Sequence, residues 1–418
     1  MSNSNPRSVC VVLFASFLAI ECAAQEPAAV APAPAPAVTV APVPVVAAYR
    51  RELLELANAA FLGMPLVPHK KNRSRGQMSV VDACFELQLP DLAVQIADTI
   101  PDWRRGLGHA HYALYCAKNG RKDEVGKHLA IAEQVAKAAA ADPNEQSWRP
   151  ARILATVART HLALGDGEAF ARYSSSLEAA DAAGIQEDSA LAMPESSFDA
   201  WLEQADRELA GNAFDSVMAT LQTCCKLYVR FFADEQKRDA LQTRVTTGYQ
   251  KLPRDARLKL VLEIAAHAAK CGDGARALDL VHRVEVMIAE VKWHPEDEIY
   301  VRARIAAVVF RAGDTANGRA HLETAIGLYD RSATAIHDIY RGAALRALSE
   351  AALASGDREQ ALLLYSRTVK AGLDNPNSRP RADDVAATCI SLASHGLEPD
   401  AELARELRSI VDGLRDPW

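Results

Sequence analysis

The sequence predicts an all-α protein, an α-solenoid of stacked antiparallel helix hairpins, and three observations support this fold class. Aromatic residues make up only 6% of the chain while alanine and leucine are abundant, which favours packed helices over strands. Apolar residues recur at helical spacing. Glycine, often followed by aspartate, punctuates the chain at intervals of about 40–45 residues, the range of helical repeat arrays.

Residues 1–25 have the pattern of a secretory signal peptide. Arg7 precedes an apolar run from Val9 to Ile20, and small residues follow before a cleavage point near Gln25. The run is too short to cross a bilayer as a helix. We therefore expect an exported protein, periplasmic or associated with the cell envelope. Two alternatives stay open: a lipid anchor on Cys22 and a cytosolic protein with an apolar start.

Residues 26–48 form an Ala/Pro-rich linker. Six of the 20 prolines of the chain lie in this stretch, and proline removes amide donors and disfavours helix in the preceding residue. We expect a semi-extended spacer without a packed core. Such a spacer after an export signal suggests that the domain lies close to a membrane or cell wall.

From Tyr49 onward the apolar residues indicate amphipathic helices that end at small-residue turns. Glycine suits the left-handed residue just past a helix end, and aspartate suits the N-cap of the next helix, so the pair joins two antiparallel helices. The turns are Asn119-Gly120, Gly165-Asp166, Gly272-Asp273, Gly313-Asp314, Gly356-Asp357 and His395-Gly396.

The segment from Gly342 to about Asp374 resembles a tetratricopeptide repeat. Leu348 and Ser349 match its first helix, Gly356-Asp357 its turn, and Ala361 and Tyr365 its second helix. The resemblance is degenerate, extends over most of residues 78–414, and implies about seven to eight repeats. The spacing exceeds the roughly 34 residues of that family, so longer helices or loops are expected.

The glycine spacing breaks between Gly211 and Gly272. The surplus holds a polar, charged stretch of helical composition, which we interpret as an additional helix at a junction. The predicted organisation is an N-terminal stack over 49–231, a junction helix over 232–252 and a C-terminal stack over 253–414. Continuous stacking of all hairpins is the alternative.

No motif in the chain indicates catalysis, a metal or a cofactor. The glycine-rich stretch at 272–277 follows a helix and not a strand, so it is a hairpin turn and not a dinucleotide site. His109 and His111 point apart on a helix and cannot share a metal. We expect the histidines at the surface or at helix caps, and Cys116, Cys271 and Cys389 as small buried apolar residues.

The charge of the chain argues against a nucleic-acid partner but is compatible with a local contact to an acidic surface. Lys and Arg number 47 against 54 Asp and Glu, which argues against a nucleic-acid-binding protein. One basic stretch, His69 to Arg75, is expected in a loop. It either contacts an acidic surface, such as lipid headgroups or wall polymers, or is simply solvated.

The tetratricopeptide resemblance implies a partner in the concave face built from the first helices of the hairpins. Seven of the ten matching positions are cationic and one is anionic, so we expect a protein or peptide partner, in particular an acidic one. The alternative is that these residues only keep the helix face soluble. The positions are Lys118, Arg152, Arg159, Lys259, Lys270, Tyr300, Phe310, Arg311, Arg346 and Glu350.

The sequence therefore predicts a non-catalytic, exported scaffold for protein–protein interaction. Two other functions remain open. One is a polysaccharide- or cell-wall-associated enzyme with a superhelical body, which would need a separate catalytic domain or a polar cluster in the groove. The other is a structural spacer or homo-oligomer. The oligomeric state cannot be derived from the sequence.

Overall fold

The computed structural model describes residues 46–175, 177 and 179–418, without the side chains of 179–183. The predicted signal peptide and residues 26–45 of the linker lie outside this range. The described residues belong to one compact unit, Val46–Trp418. Within it, no helix has both the length and the apolar character needed to cross a membrane.

The predicted all-α class is confirmed: the described chain folds into nineteen α-helices joined by short connections. Two single turns of 3₁₀ helix accompany them, at Glu195–Ser197 and Tyr249–Lys251. The first ten helices are α1 (Ala48–Leu62), α2 (Leu66–Glu86), α3 (Pro90–Asp98), α4 (Arg104–Lys118), α5 (Lys122–Ala141), α6 (Trp148–Leu164), α7 (Gly167–Ser174), α8 (Ala179–Ala192), α9 (Phe198–Ala210) and α10 (Phe214–Arg230).

The remaining helices continue the same alternation along the chain. They are α11 (Glu235–Gly248), α12 (Arg254–Lys270), α13 (Gly274–Ala289), α14 (Pro295–Arg311), α15 (Thr315–Ser332), α16 (Asp338–Ala354), α17 (Arg358–Leu373), α18 (Ser378–His395) and α19 (Ala401–Asp412).

Most of these helices pair as hairpins. The two helices pack on each other in α2/α3, α4/α5, α6/α7, α10/α11, α12/α13, α14/α15, α16/α17 and α18/α19. The first helices of successive hairpins also pack on each other, as in α4 with α6 and α14 with α16. Between α6 and α10 this contact is made through α8, which packs on both. The second helices of neighbouring hairpins diverge, as α13 and α15 do. The first helices therefore form the concave, inner layer.

The glycine–aspartate turns adopt the predicted conformation. Gly272 has φ +85°, the left-handed region that L side chains avoid, and it ends α12. The Asp273 carboxylate accepts a hydrogen bond from the Arg276 amide and begins α13. The same pair of roles recurs in three further turns, Gly165-Asp166, Gly313-Asp314 and Gly356-Asp357.

The ends of the described body close the array into a ring, which the sequence does not predict. Helix α1 packs along α18 and also contacts α2 and α19, and α2 contacts α18. One apolar core accordingly joins residues from 53 to 157 with residues from 299 to 407, and a second core spans 190 to 309. The inner layer thus runs from α2 through the even-numbered helices to α18 and back to α2.

The middle of the chain explains the break in glycine spacing. Helices α8 and α9 separate from each other, and the connection from α10 to α11 uses Asp234 as N-cap without a preceding glycine. Helix α11, within the predicted junction, is the second helix of the α10 hairpin. The division into two stacks stays a prediction.

Three local expectations are wrong. The stretch His69 to Arg75 is helical, because it lies inside α2. His109 is buried rather than at the surface, since it packs against the buried His128. Cys271 is exposed because it follows the last residue of α12, whereas Cys116 and Cys389 are buried as expected.

Candidate functional site

The candidate site is the inner face, the side of the inner-layer helices that lies toward the concave side of the ring. On α14, Tyr300, Arg304 and Arg311 lie at helical spacing on one face, and on α12, Lys259, Glu263 and Lys270 do the same. Lys259 and Arg304 both act electrostatically on Glu263. The two helix faces are therefore neighbours on a shared surface.

The first group on this face is the Asp188 cluster, formed by Lys118, Arg159 and Asp188 from α4, α6 and α8. The Asp188 carboxylate receives hydrogen bonds from Lys118 Nζ at 2.9 Å and Arg159 Nε at 2.6 Å. Burial acts to raise the pKa of Asp188, but these bonds overcome it, so the net shift of that pKa is downward. Two predicted cations thus share one carboxylate within the protein.

Arg152 lies in the first turns of α6, close to Trp148. Its guanidinium stands 5.2 Å from the Trp148 ring centre, and Arg149 lies over the same ring at 5.5 Å. Trp148 in turn packs edge-to-face on Trp103 at 5.3 Å between ring centres. Arg152 is therefore held by a cation–π contact and not by an acidic partner.

The second group is the α12–α14 strip, which consists of Lys259, Lys270, Tyr300, Arg304 and Arg311. Lys259, Lys270 and Arg311 are exposed and form no ion pair with a described residue. Arg304 lies over the exposed Tyr300 ring at 5.8 Å. The strip keeps free cationic donors beside an aromatic ring, which is a surface suited to carboxylates.

Glu263 is a half-buried carboxyl group that lies on α12 between two residues of the strip, Lys259 and Lys270. Burial raises its pKa, and the nearby Lys226, Lys259 and Arg304 offset part of that rise. Lys226 is itself paired with Glu187 at 2.5 Å. The inner face is therefore mixed in charge, because Glu187, Asp188 and Glu263 stand among the predicted cations.

Phe310 differs from the other predicted residues. Its ring lies against Gly318 of α15, so close that a side-chain carbon added at Gly318 would stand 2.7 Å from the ring. Phe310 thus fills the space between α14 and its hairpin partner. The prediction that it contacts a partner stays untested.

The third group is the seam pocket, a cavity of about 550 Å³ where α2, α16 and α18 meet as the ring closes. It contains two residues from the predicted site, Arg346 and Glu350. It adds two residues that the sequence analysis did not assign to the site, Arg75 and Asp383. The full lining is Phe61, Arg75, Gly76, Ser79, Arg346, Glu350, Asp383, Ala387, Ile390, Ser391, Ser394 and His395.

Arg346 and Glu350 lie four residues apart on α16, a spacing at which such charges usually pair. Here Glu350 instead accepts a hydrogen bond from Ser391 Oγ at 2.6 Å, and Ser391 also bonds to the buried Tyr365 hydroxyl at 2.7 Å. Arg346 makes no ion pair with a described residue, and its buried Nη1 has no hydrogen-bond partner. The seam pocket therefore holds an unsatisfied guanidinium.

The electrostatic surroundings of Asp383 and Asp384 on α18 differ from those of Asp188. Burial raises the pKa of Asp383, although Arg75 and Arg379 oppose the rise. Burial raises the pKa of Asp384 to about 6, with Arg346 opposing and Asp383 adding to the shift. Neither carboxylate has a cation within ion-pair distance among the described residues. Both would gain from a positive group nearby.

A further cavity of about 380 Å³ lies where α8 and α9 separate. Its walls come from α8, α9 and α10 and include Trp201, Gln204 and Glu208. Glu208 is already bonded to Thr220 Oγ1 at 2.7 Å. Within the described residues, no group of three or more His, Cys, Asp or Glu side chains is placed to hold a metal ion.

Comparisons with known proteins assign no family to this chain. A scan against protein-family models gives no match, and a search of curated proteins gives none at the significance required. A solved structure described as a circular tandem repeat protein with novel repeat topology and enhanced subunit contact surfaces is similar over 87% of this chain and 95% of that chain. The identity is 14% and the TM-score 0.24. The helical-repeat fold of this chain rests on its own helix packing.

Proposed function

We propose that this protein is a non-catalytic binding scaffold that holds an acidic segment of a partner protein on the inner face of its helical ring. One observation carries the proposal: three cations of the α12–α14 strip, Lys259, Lys270 and Arg311, are exposed on adjacent inner helices and have no ion pair with a described residue. Unpaired surface cations beside an aromatic ring favour carboxylates through charge-assisted contacts.

The sequence supports the cellular location and the binding helices that this proposal assumes. A signal peptide and a proline-rich spacer ahead of the ring would place it outside the cytoplasm, in the periplasm or cell envelope. The tetratricopeptide resemblance, if it extends to ligand binding, assigns the partner to the first helices of the hairpins. The strip lies on two of those helices, α12 and α14.

The test uses a defined acidic peptide, a fluorescent octaglutamate, and measures binding by anisotropy at low and physiological salt. The variant Lys259→Glu/Lys270→Glu/Arg311→Glu should lose at least about tenfold in affinity, since each lost charge contact weakens binding. The matched control is Lys137→Glu/Arg319→Glu/Arg358→Glu, three exposed cations of the outer helices. Equal binding by both triple variants would refute the proposal.

A second candidate function is enzymatic, as one of the alternatives from the sequence. It is favoured by Glu263, a half-buried carboxyl with raised pKa on the inner face, which is the state that a general acid needs. The test is hydrolysis of envelope polysaccharides by the purified protein, with Glu263→Gln for comparison. Release of sugars that the variant abolishes would favour the enzyme over the scaffold.

A further inference from the structure

The seam pocket brings charged groups of both signs into one cavity. Arg75 comes from α2, Arg346 and Glu350 come from α16, and Asp383 comes from α18. The formal charges of these four side chains cancel. The cavity of about 550 Å³ lies within the range of small-molecule sites and can hold a ligand of one to a few amino-acid residues.

The two arginines have donor capacity to spare. Arg346 has a buried Nη1 without an acceptor, although a carboxylate stands four residues away on the same helix. A buried guanidinium nitrogen without an acceptor is costly, and a ligand carboxylate is the acceptor that fits the planar fork of arginine. Arg75, exposed on α2, borders the same cavity.

The two carboxylates have acceptor capacity to spare. Glu350 Oε1 accepts from Ser391, and its second oxygen has no hydrogen bond to a described residue. Asp383 has no cation at ion-pair distance in the described chain, and burial raises its pKa although Arg75 and Arg379 offset part of the rise. An ammonium group supplies the donors that both acids lack.

These two requirements together select the ligand class. A phosphate or other simple anion would meet Arg75 and Arg346 but also two carboxylates, and a simple cation would meet two guanidinium groups. We infer that the seam pocket binds a zwitterionic ligand of the amino-acid or short-peptide class, with its carboxylate on Arg75 and Arg346 and its ammonium on Glu350 and Asp383. This site lies apart from the α12–α14 strip.

The experiment measures binding of the dipeptide L-Ala-L-Ala to the purified protein by calorimetry. Two capped forms, N-acetyl-Ala-Ala and Ala-Ala amide, each lack one charge, and inorganic phosphate is the simple anion. We expect the zwitterion to bind and each capped form to bind at least about tenfold more weakly, because each loses a charge-assisted contact. Phosphate should bind more weakly than the dipeptide.

Three substitutions locate the site. Arg346→Gln and Asp383→Asn should each weaken dipeptide binding by about tenfold or more, whereas Arg358→Gln, an exposed arginine of α17, should leave it unchanged. Asp383→Asn keeps the size and shape of the side chain, so this variant tests the site even where Arg346→Gln unfolds the ring. Equal binding of capped and free peptides, tighter binding of phosphate, or no dipeptide binding at about 10 mM would each overturn the inference.

Failure here leaves the scaffold proposal standing, because octaglutamate binding depends on the strip and not on the seam pocket. Conversely, dipeptide binding that survives Lys259→Glu/Lys270→Glu/Arg311→Glu would show that the two sites act separately. A loss of dipeptide binding in that strip variant, with the fold intact, would contradict the location assigned to the site.

Discussion

The Asp188 cluster and the seam pocket contain the same kinds of side chains but differ in how the charges are satisfied. In the Asp188 cluster one carboxylate lies between two cations at hydrogen-bond distance, and the pKa of that carboxylate falls. In the seam pocket the buried Nη1 of Arg346 has no acceptor among the described residues, and the pKa of Asp383 rises. A count of cations along an inner face therefore overstates the charge that a ligand can reach.

The two regions differ also in what holds them together. The Asp188 cluster links inner helices that follow each other along the chain, α4, α6 and α8. The seam pocket links α2 with α16 and α18, and it depends on α1 packing against α18. Its geometry thus rests on contacts between distant parts of the chain.

The largest effect is expected from weakening the seam. Leu54 on α1 is fully buried, so Leu54→Ala should lower the free energy of unfolding by about 2–5 kcal/mol through lost burial and a cavity. Urea denaturation followed by circular dichroism measures this. Leu363→Ala, at a leucine that is 63% exposed, is the control and should change stability by less than about 0.5 kcal/mol. Equal effects of the two variants would mean that α1 does not close the ring.

A smaller loss is expected from the Asp188 cluster. The Asp188 side chain is only 10% exposed, and Asp188→Asn leaves Lys118 and Arg159 without a full counter-charge. We expect a loss of about 1–3 kcal/mol in the free energy of unfolding. Asp330→Asn, in an exposed pair with Arg367, should cost less than about 1 kcal/mol.

The variant Asp188→Asn also tests how much positive charge a ligand can reach at Lys118 and Arg159. Freed cations should strengthen octaglutamate binding to Asp188→Asn relative to the unmodified protein. Weaker binding would show that Lys118 and Arg159 do not face the bound peptide.

The seam should gain stability when Asp384 loses its charge. Its pKa is about 6 in the folded protein, above the ordinary value of 3.8, so the folded state binds more protons between these values. Stability should therefore fall as the pH rises from about 4 to about 6, and stay at that lower level above pH 6. Asp384→Asn should stabilise the protein by about 1–2 kcal/mol at pH 7, and by less at pH 5. Unfolding midpoints at both pH values measure this, and a gain that is larger at pH 5 would contradict it.

The smallest effect is expected between α4 and α5, at the buried pair His109 and His128. Their Nδ1 atoms lie 3.0 Å apart, and burial lowers the pKa of both, so the unfolded chain binds more protons below about pH 6.5. Stability should therefore fall as the pH drops below that value. Asp98 and Arg105 beside His109, Glu124 beside His128 and Lys127 near both complete the charged surroundings.

The variant His128→Gln tests this pair. The amide keeps a polar partner for His109 but does not titrate, so the pH dependence between about pH 6.5 and 5 should become shallower, by less than about 1 kcal/mol over that range. Thermal unfolding across this range measures the slope. An unchanged slope would assign the acid sensitivity to other groups.

The sequence predicts the local features of the fold because they depend on neighbouring residues. The turn at Gly272-Asp273 follows from the φ that glycine permits and from the short carboxylate that caps the next helix. Ring closure could not be predicted from the sequence. The sequences of α1 and α18 do not indicate which distant helix each of them packs against. The amphipathic pattern of α1 indicates an apolar face but not its partner.

The site was partly predictable for the same reason. The sequence predicts Arg346 and Glu350 from their place on a first helix, whereas it predicts a loop at Arg75 and gives Asp383 no role in the site. A polar and small face on α18, at 383, 387, 391 and 394, is a signal that could have identified Asp383. The pairing of Asp188 with Lys118 spans two hairpins, so no local pattern reveals it.

The packing of α1 on α18 sets the number of hairpins. An open array of this kind leaves an apolar surface at each extremity, which needs a polar terminal repeat or invites stacking into filaments. Here the extremities cover each other. Inserting or deleting one hairpin would change the rotation accumulated around the circle and pull the two helices out of register. Evolution can therefore lengthen an open array one repeat at a time, but it can alter this one only by replacing residues within a fixed circumference.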